Sequence, residues 1–497
     1  MKPDKAYKEL LAHYKKIILL QQAQDLLSWD QETMMPAAGS KIRAEQLSAL
    51  EGTIHKLQTD KKIEDFLDDA YQTQSPSIRK KSNLREIKKL YDRSSKIPIK
   101  LSEALVYKTS LAQNVWWTAK KKNSFSLFKK ILSEVVELKK SEADCIKNSS
   151  QNRYDALLND FEPGITSSQL SSLFQILSEK LKELSVKVRD KKKYFVPLSD
   201  NFSRVNQLAI SKDLAKSIGY NFNAGRLDES AHPFSSGSKT DSRITTRINQ
   251  QDPLECIYSV LHEVGHALYE QGIPENLVLE PAGRWTSMGL HESQSRLFEN
   301  QIGRSKGFTK FLNKKLRIYF PNIKYISDKH LFQAINSVKK THIRTESDEI
   351  HYNLHIILRF QLEQKLLNDS LKVDDLEREW NSTFEQMFNF KVTNSSQGVL
   401  QDIHWSAGLF GYFPTYALGN IYSACLYSKI ESLFRNLDED FAEGNFANVV
   451  LWLNKNIHRH VRFKDTYSII ETATGSKIDS RPLLEYLNKK FSKIYNF

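Results

Sequence analysis

The segment His262-Glu263-Val264-Gly265-His266 has the form HExxH, with two histidines four residues apart. On an α-helix this spacing puts both imidazoles on one face, where they can bind a single metal ion. Glu263 projects about 100° away from His262, so its carboxylate lies beside the metal. There it can act as general base towards water and return the proton to a leaving amine. The motif therefore predicts metal-assisted hydrolysis.

Apolar residues surround this polar triplet, namely Leu261, Val264, Ala267 and Leu268. A helix of this composition is largely buried, and imidazoles without partners are costly in such surroundings. Two core histidines hydrogen-bonded to the backbone are the structural alternative. We favour a zinc site, because the spacing of the three polar residues fits one.

A catalytic zinc ion usually has three protein ligands and keeps one position for water. The carboxylates that follow the motif are Glu270, Glu275, Glu280, Glu292 and Glu299. Glu270 is one turn beyond His266 and can reach the metal, but the third ligand commonly comes from a second helix packed against the first. Residues 290–296 fit such a helix, and spacing favours Glu292 only modestly over Glu299.

Long helices are predicted to position these side chains. Only 18 glycines and 13 prolines occur in 497 residues, and apolar residues recur at three- and four-residue spacing. Asp252 and Pro253 begin the helix that carries the motif, which ends near Gly272. Other helices are predicted over residues 7–29, 40–57, 102–122, 125–145, 167–188, 213–218, 287–302, 329–341, 349–367, 371–388, 418–437 and 446–457. The fold class is therefore mainly α.

Two stretches depart from the helical pattern. Residues 220–249 mix turn residues with β-branched alternation, which predicts a small sheet or hairpin just before the metal-binding helix. Residues 398–414 form a loop rich in glycine and aromatic residues. No repeat or flexible linker divides the chain, so we expect a single domain over residues 1–497.

Composition and charge exclude several classes of protein. With 40% hydrophobic and 26% charged residues, the chain can bury a large core. Its three cysteines are far apart and in no CxxC spacing, which excludes a disulfide framework and indicates a reducing compartment. The N-terminus has no apolar signal region, and no window approaches the roughly 18 apolar residues needed to cross a bilayer. We expect a soluble, cytoplasmic protein with no membrane partner.

The formal net charge of +13 raises the question of nucleic acid as a partner. The lysines occur in short clusters, such as residues 120–122 and 314–315, without the motifs that direct charge into a groove. A solvated, lysine-rich surface is the better interpretation, and no nucleic-acid partner is expected.

Six short motifs in a fixed order make the sequence resemble the carboxypeptidase Taq family of metal-dependent carboxypeptidases. They are HPF (232–234), DxRxT (241–245), HExxH (262–266), HESQ (291–294), IRTESD (343–348) and GxxQDxHW (398–405). Residues 26–50 also look like the N-terminal helical segment of the family, so the resemblance covers nearly the whole chain. Ile248 and Phe298 depart from the pattern, where tyrosine and tryptophan are more usual, and neither is a ligand position.

The resemblance implies that His262, His266 and Glu292 bind the metal and that Glu263 is the general base and acid. It also implies a mostly helical fold with a deep active-site groove, an N-terminal helical cap over roughly residues 1–100, and frequently a homodimer. Zn²⁺ is the expected cofactor, and Co²⁺ or Mn²⁺ can substitute because the same nitrogen and oxygen ligands accept each.

An exopeptidase must hold the free C-terminal carboxylate of its substrate, which calls for an arginine close to the metal. Arg344 in the IRTESD motif is the first candidate and Arg243 in the DxRxT motif is the second. For Arg243, a structural pairing with Asp241 or Asp348 is an equal alternative.

Further residues are candidates for supporting roles. His404 or Tyr416 would donate a hydrogen bond to the tetrahedral oxyanion. His232 would line the substrate pocket, with a packing role as the alternative. Asp402 would orient a metal-binding histidine through its second ring nitrogen, and Glu346 and Asp348 are alternatives for that role.

The sequence thus predicts a zinc carboxypeptidase that releases C-terminal residues from peptides with broad specificity. The alternative is an HExxH oligopeptidase or endopeptidase, which cleaves internal bonds and needs no carboxylate clamp. A helical scaffold without turnover is disfavoured, because both histidines, Glu263 and Glu292 are all present.

Overall fold

Helices account for most of the chain, as the spacing of apolar residues predicts. The structure is a computed structural model that describes residues 1–189, 198, 201–323 and 325–497. Within these ranges the helices are α1 (Pro3–Thr33), α2 (Ser40–Gln58), α3 (Lys62–Tyr71), α4 (Ile78–Lys96), α5 (Ile99–Lys121), α6 (Ser126–Ile146), α7 (Arg153–Phe161), α8 (Ser167–Arg189), α9 (Arg204–Ile218), α10 (Pro253–Gly272), α11 (Met288–Arg296), α12 (Lys306–Tyr319), α13 (Asp328–Ile335), α14 (His351–Leu367), α15 (Leu376–Phe388), α16 (Pro414–Leu433), α17 (Leu437–Ala442), α18 (Ala447–Asn456), α19 (Thr466–Thr474) and α20 (Arg481–Tyr495). The strands are β1 (Gly225–Glu229), β2 (Ser235–Ser238) and β3 (Asp241–Thr246). The mainly α fold class is confirmed.

The helix that carries the HExxH motif begins and ends where its sequence predicts. The carboxylate of Asp252 accepts a hydrogen bond from the Leu254 backbone N–H at 2.9 Å, and Pro253 occupies the first helical position. Most side chains of α10 are buried, so neighbouring elements surround it. This burial fixes the direction in which its two histidines project.

The predicted sheet within residues 220–249 is confirmed, with strand order β1-β3-β2. β1 pairs with β3 in parallel, and β2 pairs with β3 in antiparallel register. Gly237 in β2 has φ +105°, and a Cβ there would lie 1.8 Å from the Asp241 carbonyl oxygen. Only glycine fits this close approach. β3 packs against α10 and places the sheet beside the helix that carries the motif.

The four N-terminal helices pack around a core of their own. Its buried members are Ala6, Leu10, Tyr14, Ile17, Ile54, Ile63, Leu67, Ala70, Leu84 and Ile87. The remaining helices share one large hydrophobic core. Polar contacts join the two layers, including the ion pair of Arg79 with Glu280 and that of Arg93 with Asp160. The cap over residues 1–100 contains these four helices, and the single-domain assignment stays a prediction.

Several predicted boundaries change in the structure. The helix predicted over residues 329–341 is wrong beyond Ile335, because the Asn336 side chain donates hydrogen bonds to backbone carbonyls and the chain then turns irregular. The helix predicted over residues 287–302 is α-helical only to Arg296 and continues as a π-helix over Leu297–Ile302. The predicted loop before α16 is confirmed.

Helices α3, α4, α7, α12, α17, α19 and α20 were not predicted. Helix α4, for example, is rich in lysine and arginine and shows few apolar positions. All three cysteines are free. A search of the described helices finds none that is both long and apolar enough to cross a membrane.

Glycines allow α11 to lie unusually close to the helices on either side of it. A Cβ at Gly265 of α10 would lie 2.4 Å from the Gln294 carbonyl oxygen and 2.5 Å from the Ser295 Cα. A Cβ at Gly419 of α16 would lie 2.5 Å from the Glu292 Cγ. Side chains larger than hydrogen at these two positions would push α11 away from its neighbours.

We therefore expect Gly265→Ala to lower the free energy of unfolding by about 1 to 3 kcal/mol, because α10 and α11 must separate. The matched control is Gly52→Ala in α2, where an added Cβ meets nothing within 4 Å. That change should raise stability by about 0.5 to 1 kcal/mol through helix propensity. Urea unfolding followed by circular dichroism measures both, and equal or greater stability of the Gly265 variant would contradict the close-packing argument.

Candidate metal centre

Two adjacent helices bring together three side chains that can bind a metal. His262 and His266 come from α10 and Glu292 comes from α11, and one ligand atom of each lies within 4.8 Å of the others. The Glu292 Oε2 atom is 3.3 Å from the His266 Nε2 atom and 3.7 Å from the His262 Nε2 atom. Across the described ranges, this is the one cluster of its kind. Two imidazole nitrogens and a carboxylate oxygen are suitable ligands for a divalent cation.

The charges around this cluster also fit a divalent cation. Arg296 donates to the Glu292 Oε1 atom at 2.7 Å and to the Glu299 Oε2 atom at 3.2 Å. Arg304 also faces Glu299, with its Nη2 atom 4.0 Å from the Glu299 Oε1 atom. The three carboxylates of Glu263, Glu292 and Glu299 thus outnumber the two guanidiniums of Arg296 and Arg304, which favours a bound cation.

Glu299 orients one of the two histidines. Its Oε2 atom is 2.8 Å from the His262 Nδ1 atom, which leaves the Nε2 atom facing Glu292. Burial alone would raise the pKa of Glu299, but the charge of Arg296 and the hydrogen bond to His262 lower it below its usual range. Glu299 is therefore an ionised partner of a histidine, and its carboxylate does not belong to the three-residue cluster.

The prediction that Asp402 or Asp348 orients a metal-binding histidine does not agree with this arrangement. Asp402 accepts hydrogen bonds from two arginines, Arg344 and Arg359. Asp348 precedes α14, and its Oδ2 atom is 2.7 Å from the His351 Nδ1 atom. Both carboxylates are satisfied elsewhere in the fold.

His266 is held by ring stacking. Its ring lies 4.5 Å from that of His291, with an interplanar angle of 17°. The Nδ1 atom of His266 is buried and has no hydrogen-bond partner among the described atoms. His291 in turn is 3.3 Å from the Glu270 Oε1 atom, so Glu270 supports His291 and lies outside the ligand cluster.

Glu263 lies in a cavity of about 570 Å³ beside the cluster, and its side chain is 6% exposed. Burial raises its pKa to about 7, against the opposing charge of His262. No hydrogen bond or ion pair ties it to another described side chain. A carboxyl group with these properties can accept and release a proton near neutral pH.

Arg344 lines the same cavity. Its Nε and Nη2 atoms donate to the Asp402 Oδ1 atom at 3.1 and 2.9 Å, and its Nη1 atom donates to the Tyr352 hydroxyl at 2.9 Å. The same hydroxyl accepts from Arg296 at 2.5 Å. Tyr352 therefore connects Arg344 to the side chains around the three candidate metal ligands.

Tyr416 also lines this cavity, and its hydroxyl is 3.2 Å from the His404 Nε2 atom. Burial lowers the pKa of His404 to about 3, so its imidazole is neutral at physiological pH. A neutral imidazole can donate through Nε2 to the phenol oxygen, which leaves the phenol O–H free for a bound group.

Three predicted substrate residues lie outside the lining of this cavity, namely His404, Arg243 and His232. Arg243 in β3 pairs with Asp241 at 2.8 Å, and its guanidinium lies 4.3 Å from the centre of the Trp29 ring. The pairing of Arg243 with Asp241 is the structural role that the sequence offered as the alternative to substrate binding. His232 is exposed, and its neighbour Pro233 lines the cavity in its place.

Sequence reasoning missed the roles of Tyr352, Arg359 and Arg296. Arg296 had a signal, since it lies four residues beyond Glu292 on the same helical face. Tyr352 and Arg359 are seven residues apart on α14, so they lie on the same face of that helix. This spacing is a signal that the two side chains take part in the same group of polar contacts.

The whole chain is similar to known carboxypeptidases. Residues 9–491 match the sequence model of the carboxypeptidase Taq (M32) metallopeptidase family. Thermostable carboxypeptidase 1 of Thermus thermophilus is 35% identical over 510 residues, covering 100% of both chains. Carboxypeptidase 1 of Bacillus subtilis is 36% identical over 493 residues, covering 98% of both.

Solved structures agree with this similarity. Trypanosoma cruzi metallocarboxypeptidase 1 has a TM-score of 0.96 at 31% identity, over 98% of this chain and 99% of that one. The M32 carboxypeptidase from Deinococcus radiodurans R1 has a TM-score of 0.95 at 32% identity, over 99% and 100%.

The contact of Glu299 with His262 leads to a prediction about metal affinity. We expect Glu299→Gln to weaken binding of Zn²⁺ about tenfold, because the imidazole loses its ionised partner. Glu270→Gln is the matched control, since Glu270 contacts His291 and neither histidine of the cluster. Competition with a chromophoric chelator measures both affinities, and equal values for the two variants would contradict the role of Glu299.

Proposed function

This chain belongs to the carboxypeptidase Taq (M32) metallopeptidase family, and we propose that it removes C-terminal residues one at a time from peptides of broad sequence. In this proposal His262, His266 and Glu292 hold a zinc ion, for which Co²⁺ or Mn²⁺ can substitute. The observation that carries the proposal is that Glu263 and Arg344 line one cavity beside the histidine cluster.

The bound ion would supply Lewis-acid polarisation of the scissile carbonyl and make a nearby water more acidic. Glu263 is the proposed general base, and it is suited to the role because it is buried, has no other partner and has a pKa raised to about 7. The carboxylate takes a proton from the attacking water. As the peptide bond breaks, the same carboxyl group delivers that proton to the departing amine.

Arg344 is the proposed partner of the substrate's terminal carboxylate. A guanidinium has five N–H donors, and Asp402 and Tyr352 take three of those on Arg344. The two that remain can bind a carboxylate in a fixed position relative to the metal ligands. This contact explains why the cleaved bond would be the last one in the peptide.

Tyr416 is the proposed donor to the oxyanion that forms when water attacks the scissile carbonyl. It lines the cavity that contains Glu263, whereas His404 lies behind it and contacts its hydroxyl. His404 therefore supports Tyr416 and does not replace it. Such a donor contributes about 3 kcal/mol to the stability of the transition state.

The endopeptidase alternative shares Glu263 and the histidine cluster but gives Arg344 no task. We therefore favour the exopeptidase. The cytoplasm is the proposed location, which is supported by the three free cysteines. A homodimer is proposed from the resemblance to the family alone, and the chemistry does not depend on it.

We expect Glu263→Gln to lower kcat by a factor of about 100 to 10,000, because the amide cannot accept a proton. Bound metal should stay stoichiometric, since Glu263 is outside the ligand cluster. Glu275→Gln, at an exposed position, is the control and should keep full activity. Measuring kcat together with metal content separates the two effects, and a Glu263 variant with more than a tenth of the normal kcat would exclude this residue as the base.

Peptides with blocked C-termini test the position of cleavage. Mass spectrometry of one unstructured peptide should show a ladder of single-residue losses from the free acid and no cleavage of the C-terminal amide, because Arg344 has no carboxylate to bind. Adding a chelator should stop the ladder. Internal cleavage of both peptides would place the protein among the endopeptidases.

A further inference from the structure

Behind Arg344, two buried arginines share one buried aspartate. Arg359 of α14 is fully buried, and its Nε atom donates to the Asp402 Oδ2 atom at 2.7 Å. Arg344 takes the other oxygen, Oδ1, at 2.9 and 3.1 Å. One carboxylate therefore faces two guanidiniums, and the group keeps one excess positive charge.

Arg359 is firmly held in this position. Its Nη1 atom donates to the His355 carbonyl oxygen at 2.7 Å, and its guanidinium lies 4.7 Å from the centre of the Trp380 ring. It does not line the cavity, so it cannot touch a peptide bound there. Of the two arginines, Arg344 alone lines the cavity.

Other charges near the group do not cancel the excess when Glu363 is protonated. Burial lowers the pKa values of His355 and His404, so both imidazoles are neutral at physiological pH. Glu363, one turn beyond Arg359, makes its hydrogen bonds to Trp405, Tyr154 and the Gly411 backbone, and burial raises its pKa to about 7. Lys120 donates to the Gln401 carbonyl and adds a positive charge on the other side.

We propose that Arg359 is a positioning residue for recognition of the substrate carboxylate, acting through Asp402 on Arg344. Arg359 offsets the charge of Asp402, so that Arg344 still presents a net positive charge to the cavity. Without Arg359, Asp402 would neutralise Arg344 within the pair, and the attraction for a substrate carboxylate would fall. This inference rests on the proposed function, because it needs Arg344 to bind that carboxylate.

The test measures binding alone, in the full-length, zinc-loaded protein with Glu263→Gln as the non-cleaving background. The probe is one fluorescently labelled, unstructured peptide, as the free acid and as the C-terminal amide, with Kd measured by anisotropy at pH 6, below the pKa of about 7 to which burial raises Glu363. We expect Arg359→Met to weaken binding of the free acid about tenfold, through the lost charge in a low-dielectric site. Binding of the amide should stay unchanged.

Two further variants separate charge from packing. Arg359→Lys keeps the positive charge and should bind the free acid within about threefold of the background protein. The double variant Arg359→Met with Asp402→Asn restores one net positive charge on Arg344 and should recover most of the lost affinity. It also removes both partners of the buried ion pair, which is better tolerated than removing one, so it guards against misfolding of the single variant. Thermal unfolding checks each protein.

Some outcomes would overturn the proposal. Equal weakening of acid and amide by Arg359→Met would show a structural effect only, and so would failure of the double variant to recover affinity. Arg344→Met tests the underlying function separately, since it should abolish the difference between acid and amide. If Arg344→Met leaves that difference intact, the proposed clamp is wrong, and the proposal for Arg359 is overturned with it.

Discussion

The two helices that carry the candidate metal ligands lie closer together than ordinary side chains would permit. Gly265 faces the backbone of α11 at Gln294 and Ser295, and Gly419 of α16 faces the side chain of Glu292 from the opposite side. Because α11 is held between these two glycines, the carboxylate of Glu292 comes within hydrogen-bonding range of His266. The spacing of HExxH brings two of the candidate ligands together, but only this packing brings the third to them.

Charge is distributed unevenly around the cavity, and the unevenness matches the proposed chemistry. Around Arg296 the carboxylates outnumber the guanidiniums, which suits a cation, and the group around Asp402 has an excess of positive charge that suits a carboxylate. Tyr352 accepts hydrogen bonds from Arg296 and from Arg344, one from each group. The rigid side chain of Tyr352 thus fixes the distance between the two charged groups. An exopeptidase needs such a fixed distance, because the terminal carboxylate and the scissile carbonyl belong to the same substrate residue.

Local sequence predicted the parts of the site that depend on local structure. The cap at Asp252, the helix α10 and the sheet before it follow from turn residues and periodicity. The choice between Glu292 and Glu299 could not be made that way, because residues seven apart occupy the same helical face. The structure distinguishes them through the π-helix over Leu297–Ile302, in which Glu299 reaches the Nδ1 atom of His262. Arg359 was out of reach for a different reason, since its role arises from contacts with a loop more than 40 residues away along the chain.

The role of Arg243 also depends on contacts between distant parts of the chain, although its motif suggested a contact with the substrate. The indole of Trp29 in α1 lies against the guanidiniums of Arg226 and Arg243, at 5.0 and 4.3 Å from the ring centre. Two stretches that both carry the family resemblance, residues 26–50 and 241–245, therefore meet in space. Cation–π contacts of this kind stabilise the docking of α1 on the sheet. Since the guanidinium of Arg243 is engaged by Asp241 and Trp29, we propose Arg344, which lines the cavity, as the residue that binds the substrate carboxylate.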